Sequence, residues 1–141
     1  MPQILLDTCA FLWFIKGSPE LSQPARQAIE DPANSRVMSI ASAWEMAIEY
    51  VDPKRMAIPY GLTYSFDVLI IDQIDANDIN WMPVDIPHIR LIANSYDPVR
   101  DHKMKHNDPF DRLIIATAKY MQIPLVSSDH KFEAHGIKVI W

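Results

Sequence analysis

Residues 4–15 read Ile-Leu-Leu-Asp-Thr-Cys-Ala-Phe-Leu-Trp-Phe-Ile, and this stretch decides the fold class. The apolar run Ile4–Leu6 predicts a buried strand that ends at Asp7, and the run Cys9–Ile15, apolar on all sides, predicts a short buried helix. Further strands are predicted at Arg36–Ile40, Trp81–Val84, Pro124–Ser127 and Ile137–Ile140. Further helices are predicted over residues 22–31, 42–50, 65–75, 86–94 and 108–121. Strands that alternate with helices favour an α/β fold with a largely parallel sheet.

The composition indicates an ordinary globular chain. Of its 141 residues, 49% are hydrophobic and 22% are charged, so we interpret residues 1–141 as a single domain and exclude a disordered chain. The single cysteine, Cys9, excludes an internal disulfide and a multi-thiolate metal site, and it favours the reducing cytoplasm. No apolar stretch approaches the roughly 20 residues that a membrane span needs. The N-terminus lacks a basic segment, so a secretory signal is not expected.

Charge and glycine content exclude several classes of protein. The formal net charge is −5, so broad electrostatic binding to phosphates is not expected, although acids that hold metal ions can still act on nucleic acid. The three glycines are more than forty residues apart along the chain. A glycine-rich phosphate loop cannot be built from them, which excludes P-loop and dinucleotide-fold enzymes.

Four acids share one predicted edge of the sheet. Asp7 and Asp129 each follow a strand-like run, and Glu45 and Asp111 each lie in the predicted first turn of a helix. The carboxyl ends of parallel strands and the starts of the following helices meet at the same edge, so these carboxylates should converge and repel one another. A hard divalent cation, Mg²⁺ or Mn²⁺ before Zn²⁺, would relieve that repulsion. The pattern suggests metal-assisted hydrolysis of a phosphodiester.

Each acid also has a purely structural interpretation. Asp7 can begin a turn, and Glu45 can complete a Ser-x-x-Glu capping box with Ser42. Asp108 before Pro109 is a good N-cap, Asp111 suits the helix dipole, and Asp129 can be an ordinary loop acid. Taken one at a time, these interpretations are preferred. Their coincidence at one edge favours the functional interpretation.

Five segments of the sequence resemble PIN-domain ribonucleases, above all the VapC-type toxins of toxin–antitoxin pairs. They are Ile-Leu-Leu-Asp7-Thr, Ser-Ala-Trp-Glu45-Met, Asn-Asp-Pro-Phe-Asp111-Arg, Leu-Val-Ser127-Ser-Asp129 and Gly-Ile-Lys-Val-Ile-Trp141. The resemblance implies a three-layer α/β/α sandwich, Mg²⁺ or Mn²⁺ held by clustered acids, and cleavage of single-stranded RNA. It also implies an antitoxin protein that covers the acidic crevice.

The resemblance assigns roles by position. The acids of the family fall on Asp7, Glu45, Asp111 and Asp129, and its Ser/Thr position falls on Ser127. In this assignment Asp7, Asp111 and Asp129 hold the metal, and Glu45 joins them or activates the attacking water. Two positions depart from the pattern. Many relatives carry His at position 9, which is Cys9 here, and a basic residue at position 49, which is Glu49 here.

Several alternatives stay open at the level of sequence. An aspartyl phosphatase would need a second Asp two positions after Asp7, and a non-catalytic module would sequester RNA or protein. The polar, basic segment 95–107 is predicted to be a loop that could contact RNA; it includes His102 and His106, which could also bind zinc but lack a third ligand. The four tryptophans are assigned to the core. The apolar helices around 11–14 and 66–74 supply either core or a partner surface, and a homodimer is expected.

Overall fold

Five parallel strands form the sheet of the computed structural model, which describes residues 1–51, 65–95 and 108–141. The strands are β1 (Gln3–Leu6), β2 (Ser35–Ser39), β3 (Ile79–Met82), β4 (Leu125–Val126) and β5 (Val139–Ile140). Their order across the sheet is β3-β2-β1-β4-β5, with every neighbouring pair parallel. The predicted parallel sheet is confirmed. The strand order changes direction between β1 and β4, and crevices for ligands form at such a switch point.

Helices connect the strands and cover the sheet. They are α1 (Thr8–Lys16), α2 (Gln23–Glu30), α3 (Ile40–Val51), α4 (Gln73–Ala76), α5 (Ile86–Ser95) and α6 (Pro109–Met121). A π-helical segment, Val68–Asp72, runs into α4, and a 3₁₀ helix, His130–His135, follows β4. Within the described ranges, none of the helices is long and apolar enough to cross a membrane.

The sheet separates two hydrophobic cores. Leu5 of β1 and Val37 of β2 point to the face that α6 covers, where they pack with Ile114 and Ile115. Alternate residues point to the opposite face, where they join apolar residues of α1, α2 and α3; this second set includes Ile4, Leu6, Ala10, Phe11, Ala25, Ile29, Met38 and Met46. A sheet with a core on each face is the three-layer sandwich, so that prediction is confirmed.

Three helices begin with a side-chain cap, and the starts at Ser22 and Asp108 are confirmed predictions. The Asp7 carboxylate accepts from the backbone N–H of Ala10 at 2.8 Å and begins α1. Ser22 caps α2 in the same way, accepting from the Ala25 N–H at 3.2 Å. Asp108 caps α6 ahead of Pro109, a residue that suits the first helical position because it has no N–H to satisfy.

The predicted capping box at Ser42 is wrong. Helix α3 begins at Ile40, immediately after β2, and Ser39 supplies the cap by accepting from the Ala41 N–H at 3.1 Å. Ser42 is therefore buried inside the helix, and Glu45 lies in its second turn. Because β2 is followed directly by α3, no polar linker separates them, and the sequence has no turn residues that would indicate where the helix begins.

Several other predictions need correction. Strand β3 begins two residues before the predicted Trp81, and β5 pairs only through Val139 and Ile140. Cys9 is exposed, although the sequence suggested a small buried residue. Trp44 is exposed and does not belong to the core.

Two remaining predictions concern apolar helices and the basic segment. Phe11 is fully buried, so the segment around 11–14 belongs to the core and not to a partner surface, the other alternative from the sequence. Phe66 also packs against that core, whereas Ile71 is exposed. The basic segment with His102 and His106 lies outside the described residues, apart from Ser95, which ends α5.

Candidate active site

The five candidate residues lie at the carboxyl edge of the sheet. Asp7 directly follows β1, and Ser127 directly follows β4, the neighbouring strand across the switch point. The backbone N–H of Asp7 donates to the carbonyl oxygen of Val126 at 3.1 Å, which ties the ends of the two strands together. Asp129 follows two residues after Ser127, Glu45 comes from α3 after β2, and Asp111 comes from the first turn of α6.

The Asp7 carboxylate is held by two hydrogen bonds. It accepts from the Ala10 N–H and from the hydroxyl of Ser127, whose side chain is fully buried. Burial raises the pKa of Asp7 to about 6, and repulsion from Asp129 adds to the rise, while the two hydrogen bonds oppose it. The protein therefore fixes this carboxylate in place in surroundings that disfavour its charge.

Ser127 also orients the turn that carries Asp129. Its Oγ accepts from the backbone N–H of Asp129 at 3.1 Å, while its hydroxyl hydrogen is directed to Asp7. The Asp129 carboxylate accepts from the Lys131 N–H at 3.0 Å and caps the 3₁₀ helix. One serine thus connects the acids that follow β1 and β4.

Glu45 lies beside the start of α1. Its carboxylate accepts from the hydroxyl of Thr8, the residue after Asp7. Burial raises the pKa of Glu45, and the negative charges of Glu49, Asp108 and Asp7 raise it further. This repulsion shows that Glu45 shares one electrostatic environment with the acid after β1.

Asp111 is the most strongly shifted acid of the group. Burial raises its pKa to about 7, and the charges of Asp108, Glu45, Asp129 and Asp7 contribute in that order. The charges of all three other candidate acids raise the pKa of Asp111. We therefore treat the four carboxylates as one group, which we call the acidic cluster (Asp7, Glu45, Asp111 and Asp129). At neutral pH this arrangement favours protonation or the binding of a cation.

Comparison with known families identifies the fold. A family model described as "PIN domain" matches residues 4–138. The chain belongs to the PIN domain family. PIN domains are generally nucleases, which supports a hydrolytic activity on nucleic acid. No match was found among curated proteins.

Solved structures share the architecture of this PIN domain. VapBC2 from Rickettsia felis, bound to a DNA fragment from its promoter, has a TM-score of 0.64 and 13% identity, covering 97% of this chain and 96% of that chain. FitAB bound to the IR36 DNA fragment has a TM-score of 0.62 and 19% identity, covering 96% and 92%. FitAcB from Neisseria gonorrhoeae has a TM-score of 0.56 and 20% identity, covering 96% and 95%. At these identities the likeness shows the fold.

The donor set of this PIN domain suits a hard cation. The acidic cluster offers carboxylate oxygens, which are the ligands that Mg²⁺ and Mn²⁺ prefer, and the negative charges around Asp111 would be compensated by a bound cation. Within residues 1–51, 65–95 and 108–141, however, no three His, Cys, Asp or Glu side chains are positioned to hold one ion together. The cluster therefore matches a divalent cation in chemistry and charge, and its side chains would have to move to coordinate one.

The two departures from the family pattern both lie at the cluster. Cys9 is exposed, and desolvation together with the charges of Asp7, Glu45, Glu49 and Asp111 raises the pKa of its thiol to about 12. A thiol with this pKa stays protonated and is a poor nucleophile at neutral pH. Glu49 adds negative charge near the cluster, and it raises the pKa of Glu45.

Sequence reasoning missed two features of the site. Thr8 supports Glu45, and the only available signal was its position directly after Asp7. Trp44 and Phe110 form an edge-to-face pair with ring centroids 5.1 Å apart. Each immediately precedes an acid of the cluster, Glu45 and Asp111 respectively, a regularity that could have been noticed in the sequence.

Proposed function

We propose that this PIN domain is a Mg²⁺- or Mn²⁺-dependent endoribonuclease that cleaves single-stranded RNA. The observation that carries the proposal is the acidic cluster: four carboxylates from four separate segments meet at the switch point of a parallel sheet, where burial and the neighbouring negative charges raise the pKa values of Asp7, Glu45 and Asp111. Such repulsion destabilises a fold, so its presence at a ligand-binding edge supports a role in holding a cation.

The residues of the cluster have separate roles in this proposal. Asp7, Asp111 and Asp129 hold the metal, and Glu45 either completes the ligand set or orients and deprotonates the attacking water. Ser127 keeps Asp7 oriented by donating to its carboxylate, and Thr8 does the same for Glu45. A divalent cation bound there supplies Lewis acidity, an activated water and compensation for the negative charge of the phosphate. Without a cation, the negative charges of this cluster would repel the phosphates of a substrate.

We further propose that the protein is the toxin of a toxin–antitoxin pair. The support is the likeness in fold to VapBC2 and FitAB, each of which is a two-component complex bound to DNA. An antitoxin that covers the acidic crevice would compensate the negative charge of the cluster by presenting a basic side chain to it.

The expected homodimer is part of the proposal, and Ile86 and Ile89, both exposed on α5, offer an apolar surface for it. The single cysteine favours a reducing compartment such as the cytoplasm.

The substrate class is tested with the purified protein. Single-stranded RNA, duplex RNA and single-stranded DNA of one sequence are incubated with Mg²⁺, and the ends of the products are mapped. We expect cleavage of the single-stranded RNA without 2′,3′-cyclic phosphate ends, because water and not the ribose hydroxyl attacks. Equal cleavage of the DNA, or cyclic phosphate ends, would contradict the proposal.

A non-catalytic RNA- or protein-binding module is the second candidate. It is favoured by the finding that no three metal-ligating side chains among the described residues already converge on one point. Such a module would bind single-stranded RNA with Mg²⁺ present and leave it intact over long incubation. A cleavage assay combined with a binding assay on the same sample therefore separates the two candidates.

A further inference from the structure

A large aromatic side chain lies exposed at the border of the acidic cluster. Trp44 is 58% exposed on α3, one residue before Glu45, whereas the buried residues of this helix are Ala41, Ser42 and Met46. Trp13, Trp81 and Trp141 differ, since each is partly buried and packs against a hydrophobic core. The exposure of Trp44 is therefore not explained by packing within the described part of the chain.

The indole ring is nevertheless held in place. Its ring contacts Phe110 at a centroid distance of 5.1 Å and an angle of 77°, and Phe110 precedes Asp111 at the start of α6. One edge-to-face contact touches at most one face of the indole, so surface stays open for another flat group. The pair thus fixes an exposed aromatic ring between the segments that carry two acids of the cluster.

Electrostatics limits what else could hold a nucleic acid here. The net charge of the chain is −5, and the acidic cluster repels phosphates except where a cation neutralises it. Uncharged contacts next to this cluster would add binding energy for the substrate that the repulsion between carboxylates and phosphates does not reduce. Stacking of bases on aromatic side chains supplies such energy and does not depend on the phosphate charge.

We propose that Trp44, held by Phe110, stacks a nucleobase of single-stranded RNA beside the scissile phosphodiester. This inference rests on the proposed ribonuclease function and adds a substrate-binding residue to it. A duplex keeps its bases stacked and paired, so the same contact favours single-stranded over duplex RNA. Trp44 contacts the substrate in this proposal and takes no part in the chemical step.

Tyr120 provides a matched control. It is 56% exposed and makes a similar edge-to-face contact, with His88 at 5.0 Å and 75°. It lies in the last turn of α6, nine residues after Asp111, which corresponds to about 13 Å along the helix. A general effect of removing an exposed aromatic ring would appear in both variants, whereas an effect of stacking next to the cluster would appear only at Trp44.

The test measures binding in the Asp7→Asn background, where cleavage is not expected. The probe is a labelled single-stranded RNA of about eight nucleotides, a length within the usual site sizes of single-strand binders. A second probe has the same backbone with its central bases removed. Trp44→Ala should weaken binding of the intact RNA by roughly 5- to 100-fold, the range expected for one lost stack, and leave the abasic probe unchanged. Trp44→Phe should restore most of the affinity, and Tyr120→Ala should change neither probe.

Intrinsic fluorescence gives a second readout that needs no alanine variant. The intact RNA should quench the emission of the protein, and Trp44→Phe should abolish most of the quenching. Equal affinity of the Trp44→Ala variant for the intact RNA, or equal loss for both probes, would overturn the proposal. So would a change in oligomeric state on sedimentation with unchanged RNA affinity, because Trp44 would then cover a protein surface.

Failure of this inference can be distinguished from failure of the proposed function. If wild-type protein cleaves RNA and the Trp44→Ala variant cleaves with the same KM, only the stacking contact is wrong. If the wild type neither cleaves nor binds single-stranded RNA, the ribonuclease function and the stacking contact are both wrong.

Discussion

Asp7 caps helix α1 and also carries one charge of the acidic cluster. An Asn side chain caps a helix about as well as Asp does, so Asp7→Asn keeps the bond to the Ala10 N–H and removes the charge. The two functions of this residue are therefore separable by one conservative substitution. Asp31 offers a comparison outside the cluster, because its exposed carboxylate accepts from the Ala33 N–H at 2.9 Å.

The raised pKa values predict how the stability of the metal-free protein depends on pH. The folded state binds protons at Asp7 up to about pH 6 and at Asp111 up to about pH 7, whereas the unfolded chain releases them near the ordinary Asp value of about 4. The folded state thus holds more protons in this window, and the free energy of unfolding falls as pH rises through it. In a chelator, thermal melts should show this fall, and it should be smaller in Asp7→Asn.

Asp31→Asn is the matched control for this measurement. It should leave the pH dependence of the melts as in the wild type, because Asp31 lies outside the cluster. Asp7→Asn should also be as stable as the wild type, or more stable, above about pH 7, since it relieves repulsion. Parallel pH profiles for Asp7→Asn and the wild type would contradict the assignment of Asp7 to a strained acidic cluster.

At the scale of single elements, the start of α6 separates capping from proposed metal binding. Asp108 accepts from the N–H groups of Phe110 and Asp111, at 2.8 and 3.1 Å, so its carboxylate is engaged with the backbone. Asp108→Ser should keep most of the activity and cost at most about 1 kcal/mol, because Ser also caps well. Asp111→Ser should remove metal-dependent cleavage with little loss of fold. The two variants are compared by cleavage rate and by urea unfolding. An inactive Asp108→Ser variant together with an active Asp111→Ser variant would overturn the assignment of Asp111 as the third metal ligand.

Two helix ends with left-handed backbone, those of α1 and α6, give a prediction about stability alone. Gly17 ends α1 with φ 65°, and Gln122 ends α6 with φ 55°. A side chain disfavours this conformation, so Gln122→Gly should stabilise the protein by about 0.5–1 kcal/mol in urea unfolding. Gly17→Ala should destabilise the protein by about 1 kcal/mol, because alanine disfavours the left-handed backbone. This cost is purely conformational, because no atom lies within 4 Å of the added Cβ and no steric clash contributes. Opposite signs would refute these conformational assignments.

Much of this element structure could be predicted, and the errors have physical causes. Ser22 and Asp108 start their helices as expected because capping chemistry is local. The start of α3 could not be recognised, because β2 passes directly into the helix. Ser42 and Glu45 have the spacing of a capping box although both lie inside the helix. The 3₁₀ helix after Asp129 is six residues long and has no apolar period of its own, so no sequence pattern marks it.

At the scale of the whole molecule, parallel pairing explains why the site could be inferred at all. Parallel strands align their carboxyl ends, so acids far apart in sequence, such as Asp7 and Asp129, meet at one edge. Packing between helices is different, because exposure at the rim depends on tertiary contacts. This is why the sequence assigned Trp44 to the core while the fold leaves it exposed beside Phe110.

Binding of a divalent cation should raise the stability of the whole domain. A ligand at ten times its dissociation constant stabilises the folded state by about 1.4 kcal/mol, so Mn²⁺ should raise the Tm of the wild type by several degrees. The Asp7→Asn variant should shift much less, and a chelator should reverse the effect. A Tm that millimolar Mg²⁺ and Mn²⁺ leave unmoved would contradict metal binding at the acidic cluster.

The most direct test of metal-dependent cleavage by the acidic cluster is the rate of RNA cleavage against Mg²⁺ concentration. The wild type, Asp7→Asn and Asp129→Asn are purified in parallel, and circular dichroism establishes that each is folded. We expect the wild-type rate to rise with Mg²⁺ to a plateau and to vanish in a chelator, while both variants are inactive at every concentration. Cleavage at the wild-type rate in both variants, or cleavage that persists in the chelator, would contradict the account.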